Sequence, residues 1–114
     1  MDNTVNLDDL ANQIHETARE KGFWDKFDQY PELHTDLLLA KLALIDSESA
    51  EVLEAIRKSK GEREVMLEVA DILIRTLDFA AGLRDIGYTD LSLDEIMAEK
   101  MSVNVKRPNM HGVL

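Results

Sequence analysis

Two stretches, LALIDSESAEVLEAIRK at residues 42–58 and EVADILIRTLDFAAGL at residues 68–83, decide how this chain folds. Both carry apolar residues at helical spacing, and both place an acidic pair on the apolar side. Taking about 100° per residue from Glu48, the residues Leu44, Ile45, Val52, Ala55 and Ile56 fall within about 80° of it, so Glu48 lies inside the stripe that packing fills with hydrocarbon. Glu51 stands about one turn further along. In the second stretch Glu68 lies between Val65, Ile72 and Phe79 in angle, with Asp71 at the same three-residue offset. Lys60-Gly61 is a short turn between the two segments, so they read as an antiparallel helical hairpin. Glu48 and Asp71 then lie equally far either side of the turn, as do Glu51 and Glu68. Four carboxylates are expected to face one another across a single gap. At about 5 Å and an effective dielectric of about 20, each like-charge pair costs on the order of 3 kcal/mol. Oxygen donors with no cysteine alongside point to Mg²⁺, with Mn²⁺ as a substitute.

Working outward, the hairpin helices are expected from about Glu32 or Asp36 to Ser59 and from about Glu62 to Asp85. Asn6 reads as an N-cap with Asp9 in the first turn of an earlier helix that Gly22 closes. Ser92 with Glu95 three residues later is a capping box opening a last helix, which must stop before Pro108. The expected architecture is all-α, a four-helix antiparallel bundle with a central hairpin, formed by one domain over residues 1–114.

Composition narrows the function. Thirteen Lys and Arg against 23 Asp and Glu give a formal net charge of −10, which repels a nucleic-acid backbone. Zero cysteines exclude a disulfide scaffold, thiolate zinc sites and a cysteine nucleophile. No apolar run approaches a membrane span and the first ten residues have no secretory pattern, so a cytoplasmic protein is expected. His15 and His34 have no Glu or His at ligand spacing, and no Glu-x-x-His exists for a ferritin-like di-iron bundle. Acidic residues at helical spacing are ordinarily a solvated face, and Glu54, Glu62 and Glu64 read that way. Lys41 and Asp78 lie level across the hairpin as a candidate ion pair. Trp24 has two readings, a ring that stacks on a base or a plug of the core beside Phe23 and Phe27. The segment around Ile72 and Ile74 is apolar nearly all round, with Val65, Ile72, Phe79 and Leu83 on one side and Leu67, Ala70, Ile74, Leu77 and Ala81 on the other. A helix buried on two sides predicts a dimer or a dimer of dimers.

The residues so far resemble the MazG-like, all-α nucleoside triphosphate pyrophosphohydrolases, whose signature is ExxE, a spacer of 12 to 28 residues, then ExxD. Here it reads Glu48-Ser-Ala-Glu51, sixteen residues, then Glu68-Val-Ala-Asp71. The resemblance extends to GFWD at residues 22–25 and to the ending KMSVNVKRPNMHG at residues 100–112, similar to the KMxxNxxRPxxHG of short phage and bacterial members. Ser47 departs from the pattern, since many members have a further Glu there.

The resemblance implies Mg²⁺-dependent hydrolysis of a nucleoside triphosphate, usually a deoxynucleotide, to the monophosphate and pyrophosphate by water attack on the α-phosphorus. It assigns Glu48, Glu51, Glu68 and Asp71 to the metal and to catalysis, and Trp24, Lys100, Asn104 and Arg107 to the substrate. It also agrees with a homodimer or homotetramer. For Lys100 and Arg107 the helix macrodipole supplies a ligand-free alternative, and Arg107 and His111 can equally shape a terminal turn with Pro108 and Gly112. The other readings are a non-catalytic helical dimerisation or regulatory module, and a metal-dependent phosphohydrolase of another nucleotide or phosphate ester. Glu48→Gln is expected to abolish turnover while relieving repulsion in metal-free buffer.

Overall fold

Asn6 and Ser92 do cap helices. Asn6 Oδ1 accepts from the Asp9 N–H at 3.0 Å and Ser92 Oγ from the Glu95 N–H at 3.3 Å. These bonds satisfy N–H groups that the first turn of any helix leaves without a partner. The computed structural model describes residues 6–108, and among them every regular element is helical. α1 spans Leu7–Glu20, α2 Asp25–Gln29, a 3₁₀ turn Pro31–Leu33, α3 His34–Arg57, α4 Glu62–Asp85 and α5 Leu93–Val105. Gly22 and Gly87 end α1 and α4 at φ of 84° and 82°, a left-handed conformation that turns the chain back on the last carbonyls.

α3 and α4, 24 residues each, form the expected antiparallel hairpin, about 36 Å long. The side of α3 that turns inward is Leu38, Lys41, Ile45, Glu48, Val52 and Ala55, a strict alternation of three and four residues. Leu44 and Ile56, which the sequence reading placed in that stripe, are exposed. The actual seam lies a few tens of degrees away, because Lys41 and Glu48 occupy it. α4 is the central element, packing on α3 along one side and on an antiparallel α1 along the other. Its polar row of Glu68, Asp71, Arg75, Asp78, Gly82 and Asp85 repeats the same spacing.

The core gathers at one end of this arrangement. Trp24 is 0% exposed, with Phe27 at 4.5 Å between ring centroids and the His15 ring edge-on at 4.7 Å. Lys41 Nζ lies over the indole at 4.3 Å. Leu38, Ala18 and Phe79 close around them. Gly82 makes room, since α4 passes directly over the six-membered ring of the indole.

Two expectations are corrected here. The fourth expected helix, α5, does not join a four-helix bundle, because it meets α1 alone to any extent and has no buried residue. The bundle proper is α1, α3 and α4, with α2 and the 3₁₀ turn bridging from α1 to α3. The second apolar side of α4 is also partly covered within the chain. Ala81 is buried beneath α1, whereas Leu67 and Ile74 each remain 47% exposed.

α1 and α5 meet through a reciprocal clasp. Asp8 accepts hydrogen bonds from the Leu93 and Asp94 N–H groups and from Ser92 Oγ, while Asp94 accepts from the Leu7 and Asp8 N–H groups. Each helix thus places a carboxylate on the positive end of the other. Asp8→Ala is expected to cost about 1–2 kcal/mol in urea unfolding, and Asp94→Ala a similar amount. Because each clasp half orients the other, the double variant should cost less than the two single losses combined.

Candidate functional site

The hairpin register brings Glu48, Glu68 and Asp71 together, one carboxylate oxygen from each lying within 4.8 Å of the others. Glu48 comes from the α3 seam, and Glu68 and Asp71 from consecutive turns of the α4 polar row. Oxygens on one octahedral cation at about 2.1 Å sit about 3.0–4.2 Å apart, so small side-chain rotations would close this set on a hard divalent ion. Glu51 lies outside the tight group, yet its charge reaches Glu68. Partial desolvation, then the charges of Asp71, Glu51, Glu48 and Glu64, raise the Glu68 pKa.

Glu48 differs from its neighbours. Its side chain is 15% exposed and accepts from Arg75 Nε at 2.7 Å. The cluster therefore already contains one cation, supplied by the next turn of α4 after Asp71.

A cavity of about 470 Å³ opens beside the cluster, lined by Glu48 and Asp71 together with Lys21, Phe23, Arg75 and Asp78. That volume suits a nucleotide-sized ligand. Phe23, 65% exposed, is the aromatic that faces this cavity. Trp24 is not a surface ring, and the core reading of it is the one the structure bears out. Its indole N–H donates to Asp78 at 3.0 Å. Lys100, Asn104 and Arg107 lie exposed on α5 and the turn after it, and none of them lines the cavity. The physical reason is the clasp, which holds α5 by its first turn against α1 and leaves its remaining turns uncovered. His111 falls outside the described residues.

Behind Asp78 lies a network the sequence reading missed. His15 Nδ1 bonds Asp78 at 2.8 Å and Nε2 bonds Asp85 at 2.7 Å, while Arg19 reaches Asp85 and Asp28. Both ring nitrogens face carboxylates, which requires an imidazolium, since a neutral ring has one N–H only. Burial acts to lower the His15 pKa, but the hydrogen bonds and charges of Asp78 and Asp85 outweigh it and raise it. The signal in the sequence was His15 on the apolar row Ala11, His15, Ala18. The candidate Lys41–Asp78 ion pair does not form. Lys41 instead donates to the Phe23 carbonyl at 3.3 Å, and its pKa is lowered chiefly by burial.

A pH profile follows from these shifts. The His15 contribution is complete below its ordinary value of 6.5 and is lost as pH rises through its raised folded value. For Asp8, whose folded pKa is lowered foremost by the Ser92 hydroxyl, the contribution is complete above 3.8 and is lost as pH falls through the lowered folded value. Asp85 behaves likewise, the His15 and Arg19 hydrogen bonds overcoming burial. These three groups favour the range between about pH 4 and 6.5, and the raised Glu68 value tilts the highest melting temperature toward the acid end of that range. His15→Gln should flatten the alkaline side of that profile, as thermal scans across pH will show.

Compared with protein-family models, with curated proteins and with solved structures, the chain finds no match in any of the three.

Proposed function

We propose that the protein is a nucleoside triphosphate pyrophosphohydrolase that acts, with Mg²⁺, on deoxynucleotides foremost, releasing the monophosphate and pyrophosphate. The observation that carries this reading is the group of three convergent carboxylates from two helices at the edge of a nucleotide-sized cavity. Glu48, Glu68 and Asp71 are the residues that would hold Mg²⁺, with Glu51 beside them. A bound divalent cation would neutralise phosphate oxygens and make water a stronger nucleophile. Among the four acids, a carboxylate oxygen not engaged by the cation takes the proton of the attacking water. Phe23 offers an apolar wall for a base, one of the two roles the sequence left open for Trp24.

The reading includes self-association. Met66, Leu67, Leu73 and Ile74 on α4, and Met101, Val103 and Val105 on α5, are exposed in the single chain. Apolar surface of that extent favours a partner, and a second copy is the simplest one. Lys100 of α5 and Lys106 and Arg107 just after it, which do not line the cavity of their own chain, have the charge to complement the acids of a second copy. The same exposed surface favours the competing reading of a non-catalytic dimerisation module. No helix is long and apolar enough to cross a membrane among the described residues.

Incubation with Mg²⁺ and a panel of standard and modified dNTPs separates these readings. Stoichiometric pyrophosphate and monophosphate, with ¹⁸O from labelled water found in the monophosphate, is the expected result. Stepwise orthophosphate release would indicate a different phosphohydrolase, and no turnover of any nucleotide would favour the module. Light scattering at micromolar concentration is expected to report a dimer or tetramer.

A further inference from the structure

We propose that Arg75 grips the phosphate chain of the ligand, using Nε to hold Glu48 and its two Nη groups to take phosphate oxygens, an inference that rests on the nucleotide reading of the cavity. Arg75 follows Asp71 by four residues and Glu68 by seven, which places it on the same row of α4 and on the cavity wall. Its Nε–H donates to Glu48 Oε1 at 2.7 Å, and among the described residues it makes no other hydrogen bond or ion pair. The acid placed to compete for the rest of the guanidinium is Asp78, one turn further on. That carboxylate is held instead by the Trp24 indole and His15. Four N–H donors of a planar fork are thereby left beside an open cavity, on a side chain that is 44% exposed.

The arrangement suits a polyphosphate more than a neutral or cationic ligand. The fork matches two phosphate oxygens at once, and the Glu48 bond fixes its plane in advance, so little rotamer freedom is lost on binding. Lys21 lines the same cavity from the end of α1 and supplies a second positive charge. The Lys41 ammonium is directed to the Trp24 ring and the Phe23 carbonyl, which leaves Arg75 as the cation that joins the acidic cluster to the ligand space.

The competing explanation is that Arg75 only neutralises Glu48, a role lysine could fill. Arg75→Ala and Arg75→Lys in the full chain separate the two. Calorimetry with inorganic pyrophosphate and with an α,β-imido deoxynucleoside triphosphate, both with Mg²⁺, should show binding weakened by about 10- to 100-fold in both variants. Mn²⁺ binding, followed by electron paramagnetic resonance without nucleotide, should be unchanged or tighter, and the melting temperature of Arg75→Lys should stay near that of the wild type. Phosphate binding retained by Arg75→Lys overturns the inference and leaves the nucleotide reading standing. Loss of Mn²⁺ binding in either variant also overturns it, since Arg75 would then act by shaping the acidic cluster. Wild-type protein that binds neither pyrophosphate nor the analogue overturns the nucleotide reading, and the inference with it.

Discussion

Gly82→Ala is expected to destabilise the protein by about 3 kcal/mol, a fall in melting temperature of more than about 10 °C. A Cβ at this position would lie 1.9 Å from Trp24 Cη2 and 2.3 Å from Cζ2, well inside van der Waals contact. The ring has nowhere to retreat. Its N–H is tied to Asp78, and Phe27, His15 and Lys41 close its faces and edges. Relief must come from moving α4 itself, the element on which both α1 and α3 pack. A chemical-denaturation curve measures the loss directly. Trp24→Leu should recover part of it in the double variant, because the smaller side chain vacates the space the methyl needs. A Gly82→Ala protein within about 0.5 kcal/mol of wild type, the range of an ordinary surface substitution, would mean that the indole is not seated against α4.

Glu68→Gln is expected to raise the melting temperature in chelator while lowering turnover by at least about 100-fold. Glu68 is the acid whose pKa the site raises, through partial desolvation and the charges of Asp71, Glu51, Glu48 and Glu64. A carboxyl with a raised folded pKa contributes its stability below the ordinary value of 4.5 and loses it as pH rises through the folded value. The advantage of the Gln variant should therefore vanish near pH 4 and be present at neutral pH. Added Mg²⁺ should stabilise the wild type by mass action and the variant much less. The sequence reading assigned this relief to Glu48→Gln. The Arg75 contact moves it, because Glu48 already faces a counter-charge, and Glu48→Gln gives up that ion pair as it removes the repulsion. Equal melting shifts for the two variants would show that the acids are not distinguished in this way.

The sequence made the hairpin legible because caps, turn residues and the three-and-four spacing all act locally. Asn6, Gly22, Gly61, Gly87 and Ser92 each sit where the chain must stop or start a helix, and such signals need no knowledge of tertiary contacts. Three of the four acids proved to be close for the same reason, since one tight turn fixes the register of both helices. Partners separated by fifty residues or more were not legible. Asp78 could be placed on a face of α4, but nothing in its neighbourhood names His15 or the Trp24 indole as its partners. Arg75 was passed over because one of three arginines on an acidic helix ordinarily reads as solvation. Its position in the row Glu68, Asp71, Arg75, Asp78, Gly82, Asp85 was the available clue. The placement of α5 was unreadable for a different reason, as its apolar residues are spread around the whole helix and define no face to bury.

The exchange of carboxylates between Asp8 and Asp94 ties the first turn of α1 to the first turn of α5. An N-terminal deletion that extends through Asp8 does more than shorten the first turn of α1, because it also releases the anchor of the last helix some eighty-five residues away. Fusion partners and cleavage sites should accordingly be kept clear of that junction, and a shortened protein that behaves unlike the full chain should first be examined for where its final helix has gone.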